Sequence, residues 1–181
     1  RIVIELEAIH LWAVKVLHHL GESHKETGSY SDSIECCLES MTIRRRQGQG
    51  INRLSNAATL TILAGSYFEA ENYDRSVEYY ARCLRIYLNR YGKESPEVAQ
   101  ILIYMGRSFS ANELYVKAFQ CFDKAMRIYD YGADELAPST REKKSLLHRE
   151  LASIVKHVDG DIFEALNHYR SSVSYLEEHI E

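Results

Sequence analysis

The sequence contains the stretch YDRSVEYYARCLRIY at residues 73–87 and the related stretch YVKAFQCFDKAMRIY at residues 115–129. They begin 42 residues apart, and Pro96 and Pro138 are separated by the same interval. Within each stretch, apolar residues recur three and four positions apart, which is the period of an α-helix. A fixed interval of this kind indicates an array of similar helical units, each of which buries its apolar face against a neighbour.

Small residues recur at nearly the same interval and mark two helices in every unit. Helices can cross closely only where the side chains at the contact are small. On the first helix of each unit the small residues are Gly21, Ala64, Gly106 and Ala152, and on the second helix they are Ser33, Ser76, Ala118 and Ala165. These positions predict about four helix pairs in a single array over residues 1–181, with approximate repeats at 10–50, 56–92, 96–132 and 138–178.

Polar segments are expected to separate these helices. Short turns are predicted within the pairs at Thr27-Gly28-Ser29, Glu71-Asn72, Asn112-Glu113 and Asp159-Gly160-Asp161. The segment Ser95-Pro96-Glu97 is typical of a helix start, because a serine hydroxyl can cap the first turn and proline fits its first position. An acid in that turn also complements the positive end of the helix dipole.

The composition argues against several classes of protein. The chain has 181 residues and a net charge of −4, whereas nucleic-acid and anionic-membrane binders need an excess of lysine and arginine. No apolar run reaches the length of about eighteen residues that a membrane span needs, so we expect no membrane insertion. The four cysteines suggest neither a zinc site nor a disulfide framework, and we expect a reducing, cytoplasmic location. Since the chain starts at Arg1, we interpret it as a fragment of a larger protein.

Candidate catalytic and metal-binding groups are few. His18-His19 with His24 could suggest a metal site, but adjacent helical residues point about 100° apart, so we expect no metal ion there and no cofactor. The basic cluster at residues 44–46 is interpreted as cations at the negative end of a helix. The sequence has no Gly-rich phosphate loop, no GxSxG and no HExxH motif. We therefore predict that the chain is not an enzyme.

The pattern of large, small and aromatic residues resembles the tetratricopeptide repeat. The matching residues are Leu60, Leu63, Ala64, Tyr67, Tyr73, Ser76, Tyr80 and Cys83 in the second unit, and Leu102, Met105, Gly106, Phe109, Tyr115, Ala118, Phe122 and Ala125 in the third. The 42-residue interval and the connector RYGKESPEVA at residues 90–99 resemble the longer, kinesin-light-chain-like type of this repeat. The resemblance covers roughly residues 10–178.

The resemblance implies an all-α, right-handed α-α superhelix (a solenoid) whose first helices line a concave groove. Such a groove suits an extended or helical peptide, so the resemblance implies a scaffold or adaptor whose partner is a protein or peptide. The residues expected to line it are Lys15, His18, His19, Glu22, Thr61, Ile62, Gly65, Glu69, Ile103, Tyr104, Arg107, Arg149, Glu150, Ser153 and Lys156. Lys15, Arg107 and Arg149 are expected to hold acidic groups, and Ile103 and Tyr104 to offer an apolar and an aromatic anchor.

Two other functions stay open. The array could be a structural spacer, or a solenoid that associates with itself in a larger assembly. In that case the last predicted helix, from Phe163 to Ile180, would supply the exposed apolar edge, because no following helix covers it. The chain could also be the sensor segment of a larger regulatory protein that carries an NTPase elsewhere.

Overall fold

The structure, a computed structural model, describes residues 2–47, 54–131 and 138–158. Over these residues the chain forms seven α-helices and no β-strand: α1 (Ile2–Glu26), α2 (Tyr30–Arg46), α3 (Leu54–Glu69), α4 (Tyr73–Tyr91), α5 (Pro96–Ala111), α6 (Tyr115–Tyr131) and α7 (Pro138–Val158). The predicted all-α fold is confirmed. None of these seven helices is long and apolar enough to cross a membrane.

The chain divides into two compact units. The first unit is Arg1–Arg90 and the second is Tyr91–Glu181. The first three predicted helix pairs correspond to α1 and α2, α3 and α4, and α5 and α6, and α7 occupies the start of the fourth. The second helix of the fourth pair, predicted from Phe163 to Ile180, lies outside the described residues, as does the turn predicted at 159–161.

In the first unit, small residues allow α1, α2 and α3 to pack closely. Gly21 of α1 is buried, and a Cβ atom on it would lie only 3.0 Å from Cys37 Sγ of α2. The buried Ser33 hydroxyl of α2 donates to the Gly21 carbonyl oxygen at 2.6 Å and lies 2.7 Å from Ser66 Oγ of α3. The predicted small positions therefore meet where the helices cross, because a larger side chain there would hold the axes apart.

The pair α3 and α4 is joined by aromatic and sulfur contacts. The rings of Tyr67 and Tyr79 stack with their centroids 5.4 Å apart and their planes nearly parallel. Cys83 of α4 is fully buried, and its Sγ lies 3.5 Å from the Ala57 carbonyl oxygen of α3. Cys83 is a repeat position that the sequence predicts, whereas Tyr79 is an additional buried residue of α4 that the repeat signature does not include.

In the second unit, α5 and α6 pack through a glycine and a ring. Phe122 of α6 is fully buried against Gly106 of α5, and a Cβ atom on that glycine would lie 2.5 Å from Phe122 Cε1. The start of α5 is capped as expected, since the Val98 N–H donates to Ser95 Oγ at 3.3 Å and Pro96 opens the helix. An ion pair of 2.9 Å between the buried Lys144 Nζ and Asp130 Oδ1 joins α7 to α6.

The turns inside the three pairs share one backbone design. Gly28, Glu71 and Glu113 all have a left-handed backbone, with φ of 80°, 59° and 58°. After each, an amide N–H donates back to a carbonyl near the end of the first helix, as Ser29 does to His24 at 2.8 Å. Such bonds satisfy helix-terminal carbonyl groups that have no partner within the helix. The first helix therefore ends in the same way in each pair.

Candidate partner-binding surface

The first helices of the first unit meet at His18 and Thr59. His18 Nδ1 of α1 lies 3.1 Å from Thr59 Oγ1 of α3 in a partly buried hydrogen bond. Burial lowers the pKa of His18, and the nearby His19 and Arg44 lower it further while Glu22 raises it. The imidazole is therefore predominantly neutral at neutral pH, because its ordinary pKa of about 6.5 is already below 7.

The other residues of the first unit that were predicted to line the groove differ in their exposure and contacts. Lys15 and Glu69 are exposed and Ile62 is half-buried, so all three retain surface that a ligand can contact. The Thr61 hydroxyl donates to the Ala57 carbonyl oxygen at 2.9 Å and lies 3.3 Å from Cys83 Sγ. The Thr61 hydroxyl is thus engaged inside its own helix pair, while the side chain as a whole is half-buried, as is that of Ile62.

Gly65 is covered by a lysine from the neighbouring first helix. A Cβ atom on Gly65 would lie 2.6 Å from Lys25 Nζ and 3.5 Å from the Tyr80 hydroxyl oxygen. Gly65 is buried and Lys25 is half-buried, so the ammonium group occupies the space that the missing side chain leaves. At this position a ligand would therefore meet the Lys25 side chain rather than the backbone of α3.

The first helices of the second unit meet through an ion pair. Arg107 Nε of α5 donates to Glu150 Oε1 of α7 at 3.0 Å, and both side chains are only partly exposed. Arg149, Ser153 and Lys156 of α7 are exposed, and Tyr104 of α5 is half-buried. The predicted groove-lining residues included Glu150, but the prediction did not pair it with Arg107, although the two residues are 43 apart, close to the repeat interval.

The prediction that Ile103 offers an apolar anchor to a ligand is corrected by the structure. Its side chain has 0% exposure, so it cannot offer the apolar anchor that the register predicts. It follows the buried pair Ile101 and Leu102, and the face of α5 that is enclosed by neighbouring helices is therefore wider than the repeat signature suggests. Of the two predicted anchors, only Tyr104 retains accessible surface.

The two adjacent histidines of α1 also differ from expectation. Ligand atoms of His18, His19 and Glu22 all lie within 4.8 Å of one another. The two rings are in edge-to-face contact with centroids 5.3 Å apart, and His19 Nδ1 is 3.6 Å from Glu22 Oε2. The two rings therefore lie near each other although their Cα–Cβ bonds diverge, because side-chain torsions bring them together.

The cysteines are placed as packing residues. Cys37, Cys83 and Cys121 are buried and all four thiols are free. Burial raises the pKa of Cys37 to about 12 and those of Cys83 and Cys121 to about 11. Burial, followed by Glu35, also raises the pKa of the half-buried Cys36. These thiols are therefore protonated near neutral pH, whereas a cysteine nucleophile or metal ligand acts as the thiolate.

Comparison with known proteins identifies the repeat. A tetratricopeptide repeat family model matches residues 12–87 and again residues 55–130. No curated protein sequence matches the chain.

Solved structures resemble the fold at low sequence identity. BtubC from P. vanneervenii gives a TM-score of 0.81 at 16% identity, over 91% of this chain and 63% of BtubC. A Podosopora anserina protein, named as a kinesin light chain with nearly identical TPR-like repeats, gives 0.75 at 17%, over 93% of this chain and 77% of that one. MamA gives 0.67 at 14%, over 91% and 79%. The present chain thus spans less than two thirds of BtubC.

Proposed function

Because the chain belongs to the tetratricopeptide repeat family, we propose that it is a scaffold or adaptor that binds a segment of a partner protein along its first helices. The family is generally a non-enzymatic interaction scaffold, and the proposal includes no catalytic role. The partner segment is an extended or helical peptide with acidic side chains. It contacts side chains that the helix pairs hold in place rather than a closed pocket.

The ion pair between Arg107 and Glu150 is the observation that carries this proposal. It links side chains of successive first helices, α5 and α7, and leaves both partly exposed. His18 and Thr59 make the corresponding contact between α1 and α3. Groups held by such contacts lose little freedom when a ligand binds, which lowers the entropic cost of association.

The second unit offers the better-defined ligand surface. We name Tyr104, Arg107, Arg149 and Ser153 the unit-two surface. Arg149 is exposed and has no ion pair among the described residues, so its guanidinium group can bind a carboxylate with two parallel hydrogen bonds. Glu150 neutralises only part of the positive charge, and Tyr104 adds an aromatic face. This combination favours an acidic segment with an apolar or aromatic residue nearby.

A charge swap tests the unit-two surface. The test selects acidic peptides on an array and measures their affinity for the full chain by fluorescence anisotropy. We expect Arg107→Glu to weaken binding at least tenfold, since it places a second carboxylate beside Glu150. The double variant Arg107→Glu/Glu150→Arg should recover the ion pair and the thermal stability. Its peptide affinity should still differ from that of the wild-type protein, because the charges that the peptide meets have exchanged places.

The matched control is Arg127→Glu. Arg127 lies on the second helix α6, is 70% exposed and pairs with Asp123 at 3.0 Å, so the same chemical change is made outside the unit-two surface. We expect it to leave peptide affinity within a factor of two. Equal affinities for the wild-type, Arg107→Glu and Arg127→Glu proteins, all well folded, would count against binding at the unit-two surface.

Self-association is a second candidate, favoured by an apolar stripe on α1. Ile9, Trp12 and Val16 recur at helical spacing, and Trp12 is 67% exposed. We expect the sedimentation coefficient of the wild-type protein to rise with concentration and that of Trp12→Glu to stay at the monomer value, because the charge would be buried in the contact. A monomer at every concentration would contradict this candidate and leave the scaffold proposal intact.

A further inference from the structure

One turn of α1 carries a group of metal-ligating side chains that lies outside the unit-two surface. The sequence His18-His19-Leu20-Gly21-Glu22 places two adjacent imidazoles and, three and four positions later, one carboxylate on the helix. One ligand atom from each of His18, His19 and Glu22 lies within 4.8 Å of the other two. Two imidazoles and a carboxylate form a donor set that suits borderline transition-metal ions such as Zn²⁺.

The three ligand atoms, now within 4.8 Å of one another, would reach coordination distance through side-chain rotations. A tetrahedral ion with bonds of about 2.0–2.1 Å needs its ligands roughly 3.3 Å apart. His19 and Glu22 are 74% and 52% exposed, so both can rotate without disturbing the packed core. Their present separation of 3.6 Å, from Nδ1 to Oε2, is already close to that value.

The remaining ligand, His18, is oriented by a neighbouring helix. Its Nδ1 lies 3.1 Å from Thr59 Oγ1 of α3. When Nδ1 donates to that oxygen, the other ring nitrogen, Nε2, keeps its lone pair for a metal ion. Metal-binding histidines usually have a partner of this kind on the second ring nitrogen, because it holds the ring orientation and the tautomer.

We propose that His18, His19 and Glu22 form a binding site for one divalent transition-metal ion of the Zn²⁺ type. Three protein ligands leave at least one coordination position for water, so the site is open rather than structural. The Arg44 guanidinium group, close enough to act on His18 electrostatically, opposes the positive charge of the ion. The site does not depend on the scaffold proposal and involves none of the residues of the unit-two surface.

Titration of the full chain, freed of any histidine tag, tests the site. Isothermal titration with Zn²⁺ is expected to show one ion bound per chain. Co²⁺ is expected to give visible absorption that Zn²⁺ removes by competition. His19→Ala and Glu22→Gln should each weaken binding at least tenfold and remain folded, because both side chains are largely exposed.

Two other histidines provide the controls. His10→Ala and His24→Ala change histidines of the same helix outside the cluster, and we expect them to alter affinity less than twofold. Absence of Zn²⁺ binding by the folded wild-type protein overturns the proposal. So does binding that survives both His19→Ala and Glu22→Gln unchanged, because the ion would then be bound elsewhere.

Discussion

Phe122→Ala is expected to lower the free energy of unfolding of the second unit by about 3–5 kcal/mol. The side chain has 0% exposure and lies directly on Gly106, which has no side chain of its own to fill the space. The loss combines the lost burial of the ring with the cavity that remains. Urea denaturation followed by circular dichroism measures the change, and amide hydrogen exchange in α5 to α7 assigns it to this unit.

Phe119→Ala is the matched control for this substitution. Phe119 lies one turn earlier on α6 and is 37% exposed, so truncating it removes less buried surface. We expect a loss below about 1 kcal/mol. Similar losses for Phe119→Ala and Phe122→Ala would show that the ring of Phe122 is not the centre of the contact between α5 and α6.

Gly106→Ala is expected to destabilise the same contact although alanine favours helices. The new Cβ atom would lie 2.5, 2.7 and 2.8 Å from three ring atoms of Phe122, nearer than Cβ atoms approach other heavy atoms in proteins. Overpacking of this kind costs about 1–3 kcal/mol, against a gain of about 1 kcal/mol from helix propensity. The difference is a net loss of up to about 2 kcal/mol in urea denaturation, and we expect a value toward the upper end because the Phe122 ring is fully buried.

Gly65→Ala provides the opposite case on α3. Its Cβ atom would also come too close to a neighbour, but the neighbour is Lys25 Nζ at 2.6 Å, the end of a flexible side chain that can move away. We expect no loss of stability and a gain of up to about 1 kcal/mol. By contrast, adding Phe122→Leu to the Gly106→Ala variant should recover part of the stability that Gly106→Ala loses. Equal responses of Gly65→Ala and Gly106→Ala would contradict the steric explanation.

Most of the helical framework could be predicted from local patterns in the chain. Apolar spacing, small residues and polar turns act over one or two helical turns, so a repeat of 42 residues is sufficient to place α3 to α6 and the cap at Ser95. The close approach of Gly106 and Phe122 also follows from the repeat signature. The left-handed residue in each turn was harder to predict, since Glu71 and Glu113 occupy positions where glycine is the usual choice.

The accessible residues of the candidate surface could be predicted only in part. The repeat register predicts the direction of each Cα–Cβ bond, and it placed Arg107 and Arg149 on surface that remains accessible. It could not predict that Ile103 is fully enclosed, because enclosure depends on which helices lie over α5. Nor could it predict that Thr61 bonds inside its own helix pair.

The order of elements and the small residues at helix crossings were therefore contained in the linear pattern, because helix formation and turn chemistry depend on near neighbours in the chain. The ion pair of Arg107 with Glu150 and the convergence of His18, His19 and Glu22 became visible only in three dimensions. Side-chain torsions and the positions of neighbouring helices determine which polar groups meet, and neither is encoded in residue spacing.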